Sequence, residues 1–424
     1  MHTGAAEGFL TDRIMAMPQV ARGVYLPDGG RMTRPLANIG ELWFSSPVMA
    51  RMLQNGAKNA GELPENAADF EKLAVLLAAL PRLGGTPIGE GLCADLAALG
   101  CRLSPTPENA AAIWQETAAA LADTPLSPKD LYARMGVRVL DVTPTELARG
   151  VALPQSCVPL VSLPALLSAH TPDFLQTLTA LAAYSGNEIT TLAALEAALE
   201  ALLIGARARG ARVVALSLCD TASFCRPDPY HAAEAFKTAL DGKGHRLRTD
   251  EAALLHAQIL RILGRLALAH GYRFLLELSP KTDTVSAPFS PPELQKLLSY
   301  LEEWQALPPT CLSLAPAQYE GGLSALLGAF PDQTGTSRLL FGIAGQGATA
   351  ADLGRAVRFF ARNGALTRCM GLTDARTLCL QNRTAARFAA ALGEELSLFD
   401  DADFAEAEAR AVLFLRAADF YGLT

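Results

Sequence analysis

The sequence predicts an α/β protein: a (β/α)8 barrel of the TIM type with an all-helical insertion after its first strand. Three observations carry this. Eight short apolar runs alternate with Ala/Leu-rich helices, hydrophobicity within the runs is near-continuous, and one long interval holds helices alone. A strand buried on both faces of a parallel sheet has no solvent side, so it reads apolar throughout.

The runs are Gln19 to Leu26, Gly136 to Val142, Cys157 to Leu163, Ala211 to Leu218, Tyr272 to Leu278, Thr310 to Leu314, Arg338 to Ile343 and Arg368 to Thr373. Among the helices between them, Leu192 to Arg209 and Asp250 to His270 each carry one apolar stripe at helical spacing. Gly210 and Gly271 follow as C-terminal caps. Ser290-Pro291-Pro292-Glu293 predicts another helix start, with a serine cap, a proline in the first turn and a glutamate closing the capping box. Helix followed by strand, repeated with right-handed crossovers, closes a barrel.

The interval between the first two strands reads as Phe70 to Leu80, Gly89 to Leu99, Glu108 to Leu121 and Pro128 to Met135, all helical and punctuated by prolines. The expected division is an N-terminal segment with the first strand (1–35), the helical insertion (36–135), the rest of the barrel (136–398) and a C-terminal packing helix (399–424).

With 424 residues, half of them hydrophobic, the chain exceeds one barrel of about 250 residues by enough for such an insertion. A net charge of −7 and no Lys/Arg cluster argue against a nucleic-acid partner. No apolar run reaches the about 20 residues needed to span a bilayer, and the polar N-terminus lacks a signal-peptide core. A soluble, cytoplasmic protein is expected, with no membrane partner and with homo-oligomers compatible with its apolar helices. The eight cysteines form no Cys-x-x-Cys pair and read as buried free thiols.

Barrel enzymes place their chemistry at the C-terminal ends of the strands. None of the six histidines falls there, and all read as solvated or capping groups. Three kinds of residue stand out instead. Asp374 closes the eighth strand, where a carboxylate serves as base, ligand or structural anchor, with Arg376 two residues on and Arg383 in the following helix. Glu277 lies within Phe274-Leu275-Leu276-Glu277-Leu278, where an ionised carboxylate is costly to bury unless it is paired or stays protonated; it reads either as a base for proton transfer between adjacent carbons or as a glutamate paired with Lys281 or Arg273 at the rim. Asp141 and Asp220 sit at or past strand ends and read first as helix caps. The loop Gly342 to Gly347 is a weak phosphate-binding signal.

Several segments, taken in order, resemble the uronate (glucuronate) isomerases of the amidohydrolase superfamily. These are Asn38-Ile39-Gly40-Glu41-Leu42-Trp43, Asp69 to Leu73 with Leu80-Pro81, Ala112-Ile113-Trp114-Gln115, and Gly371-Leu372-Thr373-Asp374-Ala375-Arg376 followed by Arg383. The resemblance implies interconversion of an aldehyde sugar acid and its ketose, such as D-glucuronate and D-fructuronate. It also implies a divalent metal bound by a first-strand His-x-His and the aspartate matching Asp374. The two histidines fall on Gly23 and Tyr25, which offer no comparable imidazole. The family's His-Ile-Gly on the fifth strand becomes Glu277-Leu278-Ser279.

The expectation is therefore a relative without a metal or other cofactor, catalytically silent or repurposed to bind a sugar acid. Arg376 and Arg383 would take the ligand's carboxylate. The alternative is an active isomerase that works with Asp374, Glu277 and Arg376 alone.

Overall fold

The structure, a computed structural model, describes residues 10–24, 34–44, 67–83, 87–150, 152–218, 226, 228–278, 291–303, 306–314, 327, 339–344, 350–374 and 383–423. Eight strands form a closed parallel barrel in sequence order: β1 Ala21–Val24, β2 Val137–Val142, β3 Val158–Ser162, β4 Val213–Ser217, β5 Arg273–Leu278, β6 Thr310–Leu314, β7 Leu339–Ala344 and β8 Cys369–Asp374. Each lies within one residue of an expected run or inside it. The described residues between β1 and β2 contain helices and no strand: α1 Ile39–Trp43, α2 Asp69–Ala79, α3 Pro87–Ala98, α4 Ala110–Asp123 and α5 Pro128–Arg134, with short 3₁₀ turns. The remaining helices are α6 Pro144–Ala148, α7 Pro172–Ser185, α8 Leu192–Ala208, α9 Pro229–Thr238, α10 Thr249–Ala269, α11 Pro291–Glu303, α12 Ala350–Arg362, α13 Arg383–Leu396, α14 Ala402–Arg410 and α15 Arg416–Tyr421. Helix α11 starts at Pro291 as expected, while its expected cap Ser290 lies outside the described residues.

Contacts divide the chain into two compact units. The first holds residues 1–140, 345–354 and 372–406. Its helices show their start signals directly: Ser127 and Asp130 exchange hydrogen bonds as a capping box, with Pro128 in the first turn of α5. Trp43 donates its indole N–H to buried Asp95 at 3.0 Å, joining α1 to α3, and Phe70 meets Trp114 edge-on, joining α2 to α4.

The second unit holds residues 141–344, 355–371 and 407–424. Helix α10 is its apolar centre, with Leu255, Ala257, Ile259, Leu260 and Leu263 fully buried. Among the described residues it is the one helix long and apolar enough to cross a bilayer, and most of that window is buried in the protein. The chain's last helical stretch runs from α14 through wider turns at Ala411–Leu415 into α15. Arg416 donates to the carbonyls of Leu366 and Cys369 and pairs with Glu408. Arg273, at the start of β5, pairs with Asp419 and lies over the Phe420 ring. These contacts tie the C-terminal helix to the first residues of β5 and β8.

Candidate functional site

Strand register shows which side chains reach the barrel interior. The ring of Phe341 in β7 lies 5.6 Å from that of Phe360 on α12, so Phe341 faces the helix layer. Residues paired in register share one face of a sheet, and successive residues alternate between faces. Phe341 pairs with Leu312, Leu312 with Leu276 and Leu276 with Leu216, so these four face outward. The residues between them face inward in two rows. The lower row is Ser162, Ala215, Leu275, Cys311 and Leu340. The upper row, at the C-terminal ends, is Ser217, Glu277, Ser313 and Gly342.

Glu277 thus occupies the place expected of it, with a relative exposure of 6%. The Ser217 hydroxyl donates to its carboxylate at 3.4 Å, a long hydrogen bond. Arg273 is excluded as its partner, because that guanidinium is committed to Asp419. Lys281 lies outside the described residues. Ser313 and Ser162, 7% and 8% exposed, have no side-chain hydrogen bond among the described residues. Neither serine stands out in the sequence, since a small polar residue in an apolar run says nothing about its strand neighbours.

Asp141 is buried, and it does not cap the next helix. That role belongs to Thr143, whose hydroxyl and backbone form a capping box with Glu146. Burial raises the Glu146 carboxyl above the usual range, the Thr143 hydrogen bonds oppose this, and neighbouring Asp141 adds to it. Asp220 lies outside the described residues.

On β1, a Cβ added to Gly23 would lie 3.1 Å from Val137, 3.2 Å from Leu140 and 3.5 Å from Tyr132 of α5. Gly23 therefore faces the helix layer, and its neighbour Arg22 faces the interior. The register pairs Arg22 with Asp374, which ends β8 as expected, so the two positions share one face. Arg22 is 6% exposed, and sequence reasoning missed it. Its signal was a charge inside an apolar strand run, the same signal that marks Glu277. Arg383 is the first residue of α13, and Arg376 lies outside the described residues, as do Tyr25 and residues 345–347 of the glycine loop.

The histidines need one correction. His231 bonds the capping residue Asp228 and His270 meets Glu200, but His256 is fully buried on α10 and neither solvated nor capping. Its Nε2 accepts from the Ala169 backbone N–H at 3.3 Å, and its Nδ1 has no partner. Burial, with His170 nearby, pushes its pKa down to about 4. Cysteines 101, 157, 311 and 369 are buried free thiols, whereas Cys93 is exposed. Among the described residues no group of three or more His, Cys, Asp or Glu could hold a metal ion.

Comparison with known proteins places this geometry. No curated protein sequence matches the chain. The chain is similar in structure to a uronate isomerase from Thermotoga maritima, with a TM-score of 0.77, 16% identity, and coverage of 98% of this chain and 97% of that one. It is also similar to a glucuronate isomerase from Caulobacter crescentus, with a TM-score of 0.72, 16% identity, and coverage of 99% and 94%. A uronate isomerase from Bacillus halodurans gives 0.65, 12% identity, and coverage of 100% and 97%. At such identities the likeness establishes the barrel fold. The glucuronate isomerase family profile matches residues 32–394, and the chain belongs to that family.

Proposed function

We propose that this chain binds a sugar acid and has given up the metal-assisted isomerisation that its family resemblance implies. One observation carries the reading: the interior face of β1 presents a buried arginine. A guanidinium has five donors, no lone pair to offer and a permanent positive charge, so it opposes a divalent cation where a metal-binding strand needs imidazoles. Position 23 does not rescue the site, because Val137, Leu140 and Tyr132 fill the space beside it. The residues described do not fit the metal. Arg376 and Arg383 remain the residues proposed to take the ligand's carboxylate.

The active alternative rests on the buried Glu277, a carboxylate at a strand end beside a hydroxyl. Proton exchange separates the two. Purified protein is incubated in heavy water with D-glucuronate or D-galacturonate, with and without zinc or manganese, and the proton on carbon two is followed by NMR. The expected result is no exchange, together with a rise in melting temperature on adding the sugar acid. Exchange that disappears in Asp374→Asn would establish the isomerase instead. The absence of both exchange and thermal shift would overturn the binding reading.

Gly23→His provides a second test. Adding an imidazole against three packed side chains is expected to cost about 2 kcal/mol in denaturant unfolding. Elemental analysis of the variant is expected to find no more bound zinc than in the wild type. Stoichiometric zinc in the variant would show that the site needs only its histidine.

A further inference from the structure

We infer that the contact between His256 and the Ala169 backbone is a proton-sensitive latch: it holds the loop after β3 against the helical layer, and protonation of the imidazole releases that loop at the mouth of the barrel. The inference concerns a conformational change and stands apart from the sugar-acid reading.

Residues 163–171 join the C-terminal end of β3 to α7, on the side of a barrel where strand ends carry chemistry. They form short turns of their own, the N–H groups of Leu166, Ser168 and Thr171 each donating to a carbonyl three residues back. The Ala169 N–H points elsewhere. It donates to Nε2 of His256 on α10 at 3.3 Å. The carbonyl of the same residue approaches Gly244, in the turn between α9 and α10, where an added Cβ would collide with its oxygen. Ala169 is thus gripped at its N–H and at its C=O. The His170 ring completes the contact, 6.5 Å from that of His256. Because Leu166, Leu167 and Ala169 are buried, an Ala169 N–H deprived of its acceptor in place would be costly.

A neutral imidazole has one donor and one acceptor nitrogen. Since Nε2 accepts, the proton is on Nδ1, which is buried with no hydrogen-bond partner. A second proton turns Nε2 into a donor that faces the Ala169 N–H, and places a charge in a fully buried position. Both effects drive the ring and the loop apart. Of the ionisable groups around the ring, the loop supplies His170, which opposes the charge. The α9–α10 turn supplies Lys243 and His245, both exposed, with Lys243 paired to Asp241. On α10 itself Glu251 bonds the Arg248 N–H and Arg261 lies more than a turn further on. The buried faces of α7, α8 and α9 carry no ionisable side chain, and the outward Leu216 and Leu276 of β4 and β5 are apolar. Among the described residues no carboxylate acts on the ring to hold its charge. The loop gives way rather than the helix, because α10 is buried along most of its length.

An imidazole freed by the loop regains its ordinary pKa of 6.5 in place of about 4, so opening is favoured about twentyfold more at pH 5 than at pH 7. Hydrogen exchange of the full chain, read by mass spectrometry and corrected for intrinsic rates, tests this at the two pH values. In the wild type the protection of residues 163–171 is expected to fall about twentyfold and to lie below that of α8 at pH 5. His256→Gln keeps an acceptor for Ala169 and removes the titration, so its loop protection is expected to be the same at both pH values. Loop and α8 amides of equal protection at each pH would show that the loop opens only when the whole unit unfolds, which overturns the inference. So would a wild-type loop whose protection does not change with pH, or a loop that loses as much protection in His256→Gln. The comparison of loop with α8 in the wild type decides the matter even if the variant does not fold.

Discussion

Gly264→Ala is expected to lower stability by about 3 kcal/mol, even though alanine is the better helix former. Gly264 lies within α10, and a Cβ there would come within 2.0 Å of the Ala306 carbonyl oxygen and 3.0 Å of the Ala306 Cβ. That oxygen belongs to the backbone leading into β6, so no side-chain rotation relieves the clash; the helix or the strand must move. Gly91→Ala is the control, because Gly91 sits on α3 with nothing within 4 Å of an added Cβ. That substitution is expected to stabilise by up to about 1 kcal/mol through propensity alone. Denaturant midpoints of the two variants should therefore move in opposite directions. A Gly264→Ala protein as stable as the wild type would show that α10 and β6 are not packed as closely as described.

Acid is expected to weaken the protein through His256. Its folded-state pKa is about 4 against an ordinary value of 6.5, so the unfolded chain takes up the proton first as pH falls. Stability contributed by the neutral ring is complete above 6.5 and declines between 6.5 and about 4, by about 3 kcal/mol in total. Below the lower value both states carry the proton and the loss levels off. His256→Gln keeps an acceptor for the Ala169 N–H and removes the titration, so its unfolding midpoint should change less between pH 7 and 4.5 than that of the wild type. Parallel pH profiles for the two proteins would rule out His256 as the source.

The sequence carried more of the fold than of the site, for a physical reason. Apolar runs and helical stripes are local, so the strands and most helices could be read one segment at a time. Which residues stand side by side is set by register, and register is a property of two strands. Glu277 was visible because a charge inside Phe274 to Leu278 conflicts with burial. Arg22 posed the same conflict, but its partner position, Asp374, lies at the far end of the chain. Ser217 and Ser313 posed none, since serine is tolerated inside or outside. His256 escaped notice for a different reason: α10 is buried well beyond one stripe, so its face outside the stripe meets protein where solvent was expected.

The clasp between the C-terminal helix and the barrel strands bears on how the protein is made. Arg273 cannot meet Asp419, nor Arg416 the carbonyl of Cys369, until the chain has been synthesised past residue 419 and that stretch has left the ribosome. The early strands of the second unit must therefore wait with the docking surface for Phe420 and Tyr421 uncovered. A nascent chain stalled or cut short before residue 416 would carry that bare apolar patch into the cell, and binding by chaperones or clearance by proteases is its expected fate.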